Sequence, residues 1–246
     1  NTCNNEAISA VASTVDIGGG NIQAINGAWA AIRAYGEFVT ENTSVVNVNV
    51  VKQMDENGNV KVDPNDPFVE LIAGAGDNKT TIYGDFVTNG GMGTRGHISV
   101  GLNGKDSYWT GNYADNRGYG VTQGQEGKVS LFMKNGATWT GFNDGEMDVT
   151  MEGEGTTWFG YNVAERKPDA MGNVNGGLTL TLKDGAVWQN AITTEQKHND
   201  TVQDAKVYDF NGDGGFIDMT GNKTFIGKNS ASHADGSNGV SFKNTS

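Results

Sequence analysis

Pairs of apolar residues separated by one position recur along this chain. Val100 and Leu102, Leu131 and Met133, Val149 and Met151, Leu180 and Leu182, and Ile217 and Met219 are such pairs. A spacing of two is the signature of a strand with one buried face. A Gly-containing turn follows each pair. An aromatic residue then stands six or seven positions after the second apolar one. The segments are VGLNGKDSYWTG (100–111), LFMKNGATWTG (131–141), VTMEGEGTTWFG (149–160), LTLKDGAVWQN (180–190) and IDMTGNKTFIG (217–227). Their aromatics are Trp109, Trp139, Trp158, Trp188 and Phe225. A glycine follows two positions later at Gly111, Gly141, Gly160 and Gly227, and Asn190 takes that place in the fourth segment.

The distances between aromatics separate repeat from insertion. Trp139 and Trp158 are 19 residues apart, whereas the other intervals are 30, 30 and 37. The longer intervals hold polar or Gly- and Asn-rich stretches such as YADNRGYGVTQGQEG, AERKPDAMGNVNGG and TTEQKHNDTVQDAK, which read as surface loops. A strand-patterned repeat near 20 residues with variable loops predicts an all-β fold, a parallel β-helix (β-solenoid) with loop and hairpin insertions. Leucine-rich repeats share the length but not the leucine and asparagine pattern. Ala137 with Trp139, and Ala186 with Trp188, place a small and a large residue on the same strand face, as a narrow interior requires. With strands about 4.8 Å apart the aromatics would then stack as an internal ladder. The competing reading is an outward aromatic stripe that grips sugars or another chain.

The flanks differ. Residues 1–36 are alanine-rich in EAISAVASTVD and NGAWAAIRAYG and read as an N-terminal cap, with one or two short helical turns, or as a first degenerate rung with an Asn26-Gly27 turn before Trp29. Residues 37–246 are assigned to the β-helix. A hairpin insertion near 45–63 is expected from SVVNVNVVKQM and VKVD joined by an Asn57-Gly58 turn. Its alternating valines predict a half-buried ribbon. Asp63-Pro64-Asn65-Asp66-Pro67 is expected to break the structure, and further short strands such as TTIYGDFVT follow. At the other end GVSFKN looks like another rung under way, so the chain reads as a fragment of a longer polypeptide.

Composition sharpens this picture. Gly is 37 of 246 residues and Pro only 3, which suits closely spaced strands and tight turns better than a helical bundle. The net charge of −12 and a pI near 4.6 make nucleic acid an unfavourable partner. No apolar run is long enough to span a bilayer, so no direct membrane insertion of this segment is expected. No basic leader opens the chain, so a signal peptide is expected to be already absent. A single cysteine, Cys3, excludes an internal disulfide framework.

Candidate chemistry is sparse. His97, His198 and His233 have no metal-ligand partner at a useful spacing and read as ordinary exposed histidines. There is no G-x-S-x-G nucleophile turn and no phosphate-cradling Gly loop with a lysine. Asp209, Asn211 and Asp213, before Gly214, match the first half of a calcium loop, although Thr220 stands where the bidentate glutamate belongs. They are the candidate calcium ligands, and a plain turn is the alternative. Asp144, Glu146, Asp148, Glu152 and Glu154 form the densest carboxylate group. Glu146, Asp148, Glu152 and Glu154 have the parity opposite to Val149 and Met151, which predicts a solvated outer face. A carbohydrate-active enzyme would instead need such carboxylates to converge in one groove.

The x-h-x-h-x-x-G-A-x-W-x-G rungs, LFMKNGATWTG and LTLKDGAVWQN above all, resemble the passenger domains of bacterial autotransporter adhesins of the pertactin-like and self-associating kind. The resemblance covers roughly residues 98–229. It implies a right-handed parallel β-helix on the surface of a Gram-negative bacterium or secreted from it, normally held at the outer membrane by a C-terminal barrel that this chain does not contain. The G-D-S-G-S motif of the protease passengers is absent. Adhesion, self-association and biofilm formation are therefore the implied roles. The implied partners are host or matrix surface molecules or another copy of the chain, with no catalytic residue and no cofactor beyond the possible calcium. A polysaccharide lyase or hydrolase built on the same fold is the alternative.

Overall fold

The computed structural model describes residues 6–24, 30–35, 43–89, 95–115, 127–162, 164, 167–168, 174–175, 177–190, 207 and 209–218. Among these there is no helix, and the protein is all-β. Three large sheets carry five, seven and seven strands, and every pairing within them is parallel. The first sheet contains β1 (Glu6–Val11), β4 (Ala30–Tyr35), β11 (Phe86–Asn89), β14 (Tyr113–Asp115) and β17 (Asn143–Asp144), in that order. The second contains β2 (Thr14–Ile17), β5 (Ser44–Val48), β12 (Gly96–Asn103), β15 (Lys128–Lys134), β18 (Glu146–Glu152), β22 (Leu178–Lys183) and β24 (Asp209–Asp213). The third contains β3 (Gly20–Gln23), β10 (Thr80–Tyr83), β13 (Tyr108–Thr110), β16 (Thr138–Thr140), β19 (Thr157–Gly160), β23 (Val187–Asn190) and β25 (Phe216–Asp218). From β1 to β19 the chain visits the first, second and third sheets in strict rotation, with one antiparallel excursion. Each complete visit is a round.

Period-two patterning builds the interior. In β15, Val129, Leu131 and Met133 are buried while Lys128, Ser130, Phe132 and Lys134 face outward. Register then stacks like on like: Leu131 pairs with Val149 and Val149 with Leu180, and Met133 pairs with Met151 and Met151 with Leu182. Asn135 and Gly136, both at positive φ, turn the chain from β15 into β16. Asn tolerates that conformation better than most residues, and Gly adopts it without a Cβ clash.

The tryptophans of the repeat face inward. Trp109, Trp139, Trp158 and Trp188 are each at most 1% exposed and occupy one register position of the third sheet. Phe86 stacks on Trp109 with ring centroids 3.9 Å apart, and the three Trp–Trp steps are 4.7, 4.3 and 4.8 Å at interplanar angles of 5°, 9° and 13°. A buried indole N–H needs an acceptor. Each finds a glycine carbonyl of the preceding round: Gly84, Gly111, Gly141 and Gly160, at 2.9, 3.0, 3.0 and 3.0 Å. This close approach explains the glycine two places after the aromatic. A Cβ on Gly141 would lie 1.8 Å from the Gly111 oxygen.

Several expectations are corrected. EAISAV and AAIRAY are strands, paired Glu6 to Ala30 and Ile8 to Ile32, not helical turns; Cys3 and the Asn26-Gly27 turn lie outside the described residues. The valines of Ser44–Val48 are fully buried inside the second sheet rather than in a half-buried ribbon. The antiparallel excursion begins only after Asn49, at φ 48°, and runs much further than the expected hairpin. It comprises β6 (Val50–Lys52) paired with β9 (Ile72–Ala75), a Met54–Val60 bridge across the Asn57-Gly58 turn, and β7 (Val62–Asp63) paired with β8 (Asp66–Glu70). The Asp63–Pro67 stretch makes a tight turn between β7 and β8 rather than ending the structure. Finally, Ile217 lies opposite Trp188, and Phe210 opposite Leu180. Ile217 therefore holds the aromatic position of the last described round, and Phe225 and Gly227 lie outside the described residues. A further short antiparallel pair joins β20 (Lys167–Pro168) to β21 (Val174–Asn175).

Candidate interaction surface

The inward residue of each third-sheet strand, Trp in four and Ile22, Ile82 and Ile217 in the other three, forces its two neighbours outward. Seven strands thus present two rows of side chains. One row runs Asn21, Thr81, Tyr108, Thr138, Thr157, Val187, Phe216; the other runs Gln23, Tyr83, Thr110, Thr140, Phe159, Gln189, Asp218. Only the last of these fourteen positions is charged, on a chain of net charge −12. Tyr83, Phe159 and Phe216 are 51%, 40% and 63% exposed, and Tyr108 is half-buried. These rings on a Thr- and Gln-lined sheet make this face the candidate contact surface.

The outer face of the second sheet is its opposite. Lys134, Glu152 and Lys183 alternate in one row. Lys128 lies 2.6 Å from Asp148, and Arg95 lies 3.6 Å from Glu146. Burial alone would lower the Lys128 pKa, but Asp148 outweighs it and holds the ammonium above its ordinary value. Glu146, Asp148 and Glu152 sit outward of Val149 and Met151, as their parity predicts, and Glu154 is in the turn beyond. Asp144 belongs to the first sheet. These carboxylates thus lie along an outer face and do not converge in a groove.

A cleft of about 300 Å³ opens where the excursion leaves the second sheet, lined by Asp16, Asn47, Asn49, Lys52 and Asp77 among others. Lys52 bridges Asp16 at 3.0 Å and Glu70 at 2.7 Å, and the Asn47 amide donates to both carboxylates. Burial pushes the Asp16 pKa up, yet the Asn47 and Lys52 donors prevail and leave it below its ordinary value. Lys52 is held above its own, its burial outweighed by the two carboxylates. The trio tethers the excursion to the second sheet. Sequence reasoning missed it because its members are far apart in the chain.

Asp209, Asn211 and Asp213 lie on a strand paired in parallel with β22. In an extended strand the outer two are about 13 Å apart, and the ligands of one calcium ion must lie within about 2.3–2.6 Å of it. The structure does not bring the three together. Among the described residues no group of three or more His, Cys, Asp or Glu side chains could hold a metal ion; Thr220 lies outside them. His97 is not the exposed histidine expected. Its Nε2 is buried without a hydrogen-bond partner, and burial pushes its pKa down to about 4, with Asp66 opposing and Arg95 and Lys128 reinforcing the shift. His198 and His233 lie outside the described residues.

No family model, curated protein or solved structure matches the chain.

Proposed function

We propose that this chain is a right-handed parallel β-helix of the autotransporter passenger kind and works as an adhesin at a Gram-negative cell surface or after release from it. On this reading it binds through the side of the coil rather than by catalysis. The observation that carries the reading is the neutral Thr, Gln and aromatic face that crosses seven strands of the third sheet. Modest contacts along such a face, each hydrogen bond worth about 0.5–1.5 kcal/mol net, sum with its length. The strict rotation of strands among three parallel sheets supports the coil, and the stacked indoles supply a stiff interior for it. The test is display on cells that otherwise stay dispersed, followed by settling and by attachment to matrix and host-cell surfaces. Clumping or attachment is expected, and the absence of both would remove the reading.

The cleft favours a second reading, a carbohydrate-active enzyme, because the Asp16 carboxylate lines it beside Lys52, which also pairs with Glu70. Both carboxylates are bonded to Lys52 and Asn47, however, which leaves neither free to act on a substrate. A purified chain that cleaves a polysaccharide, and loses that activity on Asp16→Asn, would establish the enzyme instead.

A further inference from the structure

We propose that the occupant of the neutral third-sheet face is an uncharged polysaccharide strand, laid along the direction in which the strands stack. This rests on the reading of that face as the contact surface and names its ligand class.

Charge decides between occupants. The chain carries −12, and thirteen of the fourteen outward positions on this face carry no charge. An anionic glycan, or a second copy of the chain, must approach a molecule of its own sign and is repelled over roughly a Debye length of about 8–10 Å. A neutral glycan meets no such barrier and gives this face nothing to pair with a charge. The outer face of the second sheet, with its Lys128–Asp148 and Arg95–Glu146 pairs, offers the reverse chemistry.

Shape agrees with charge. A pyranose presents flat patches of C–H bonds edged by hydroxyls, so its recognition calls for exposed rings beside uncharged donors and acceptors. Tyr83 and Phe159 stand in one row, three strands apart, and Tyr108 and Phe216 in the other, four strands apart. At about 4.8 Å per strand these separations are about 14 and 19 Å. Between the rings lie the hydroxyls of Thr110, Thr138, Thr140 and Thr157. A threonine hydroxyl stands on every strand between Tyr83 and Phe159, so an extended glycan laid across the strands meets several donors and acceptors between the rings. The contacts then add along the length of the ligand.

The experiment is retention of the purified full chain on microcrystalline cellulose, starch granules and chitin, with alginate beads as the anionic comparison. Retention is expected on at least one neutral matrix and not on alginate, with little change as salt is raised. The double variant Tyr108→Ala/Phe159→Ala, and separately Thr140→Glu, should reduce retention about tenfold or more, while Thr181→Glu on the second sheet should leave it unchanged. Circular dichroism melts establish that each variant is folded. No retention on any neutral matrix, or equal retention of folded Thr140→Glu, would overturn the proposal. If purified chain is not retained but displayed wild-type cells clump and Thr140→Glu cells do not, the face is a contact surface for a second copy. The glycan assignment then fails while the adhesin reading stands. If displayed cells neither clump nor attach, the adhesin reading itself fails.

Discussion

Trp158 donates its indole N–H to the carbonyl of Gly141 at 3.0 Å, while Gly141 itself lies so close to the carbonyl of Gly111 that no side chain fits between them. The aromatic and the glycine of the repeat are therefore one device. The ring fills the interior, and the missing Cβ two places after it lets the backbone of the preceding round come near enough to be its acceptor.

Gly141→Ala should consequently destabilise the protein by at least about 2 kcal/mol, since backbone rather than a flexible side chain must move. Gly153→Ala is the comparison. It also has positive φ, at 89°, but its Cβ would meet nothing nearer than 3.7 Å, so only the backbone cost of about 1–2 kcal/mol applies. Urea denaturation of both variants checks the order, and equal losses would contradict the close-packing argument.

Trp139 touches stacked rings on both sides. Trp139→Ala should cost about 3–5 kcal/mol, and should leave the Gly111 carbonyl without its indole donor. Trp139→Phe keeps an aromatic ring in the stack but not the donor, and should fall between wild type and Trp139→Ala. Thermal melts of the three proteins give the ranking directly.

His97 makes stability depend on pH. Its folded pKa, about 4, is below the ordinary 6.5, so the unfolded chain binds the proton first as pH falls. Its effect is nil above about pH 6.5; stability then declines down to about pH 4, by at most about 3 kcal/mol. His97→Leu should flatten that part of the profile relative to wild type. Chemical denaturation at pH 7, 6 and 5 measures it, and parallel profiles would show that His97 is not the source.

Calcium and a chelator should give the same melting temperature. Asp209, Asn211 and Asp213 are spread along a strand and share no point at ligand distance. A rise in melting temperature with calcium would mean that this segment leaves the strand to bind it.

How much was legible beforehand depends on what the sequence signal encodes. Parity is local, so the inward placement of Val149 and Met151, and the outward placement of Asp148 and Glu152, followed from spacing alone, whereas a turn separates Trp158 from them and left an outward stripe open as its alternative. Pairing partners are not local. Alternation runs unbroken from Val46 past Val50, so nothing in the pattern marks Asn49, where the chain leaves a parallel sheet for an antiparallel excursion. The last round was framed wrongly because Gly212 stands opposite Leu182, where the second apolar residue of the pair belongs. That removed the cue from β24 and let Ile217 pass for the start of a repeat. The neutral face was hidden for a related reason. Tyr108, Thr138, Thr157 and Val187 share little chemistry when read along the chain, and become one row only once the register is known.

The indole bonds also have a direction in time. In all four the acceptor, Gly84, Gly111, Gly141 or Gly160, precedes the tryptophan that uses it. A nascent chain extended from its N-terminal side thus always offers a finished acceptor to the indole that arrives next, and none of these bonds waits for residues still to come. Ordering can advance one round at a time behind the growing end, each step closing only a short stretch of chain, which is the regime in which β structure forms fastest and leaves the least unpaired edge open to misassembly.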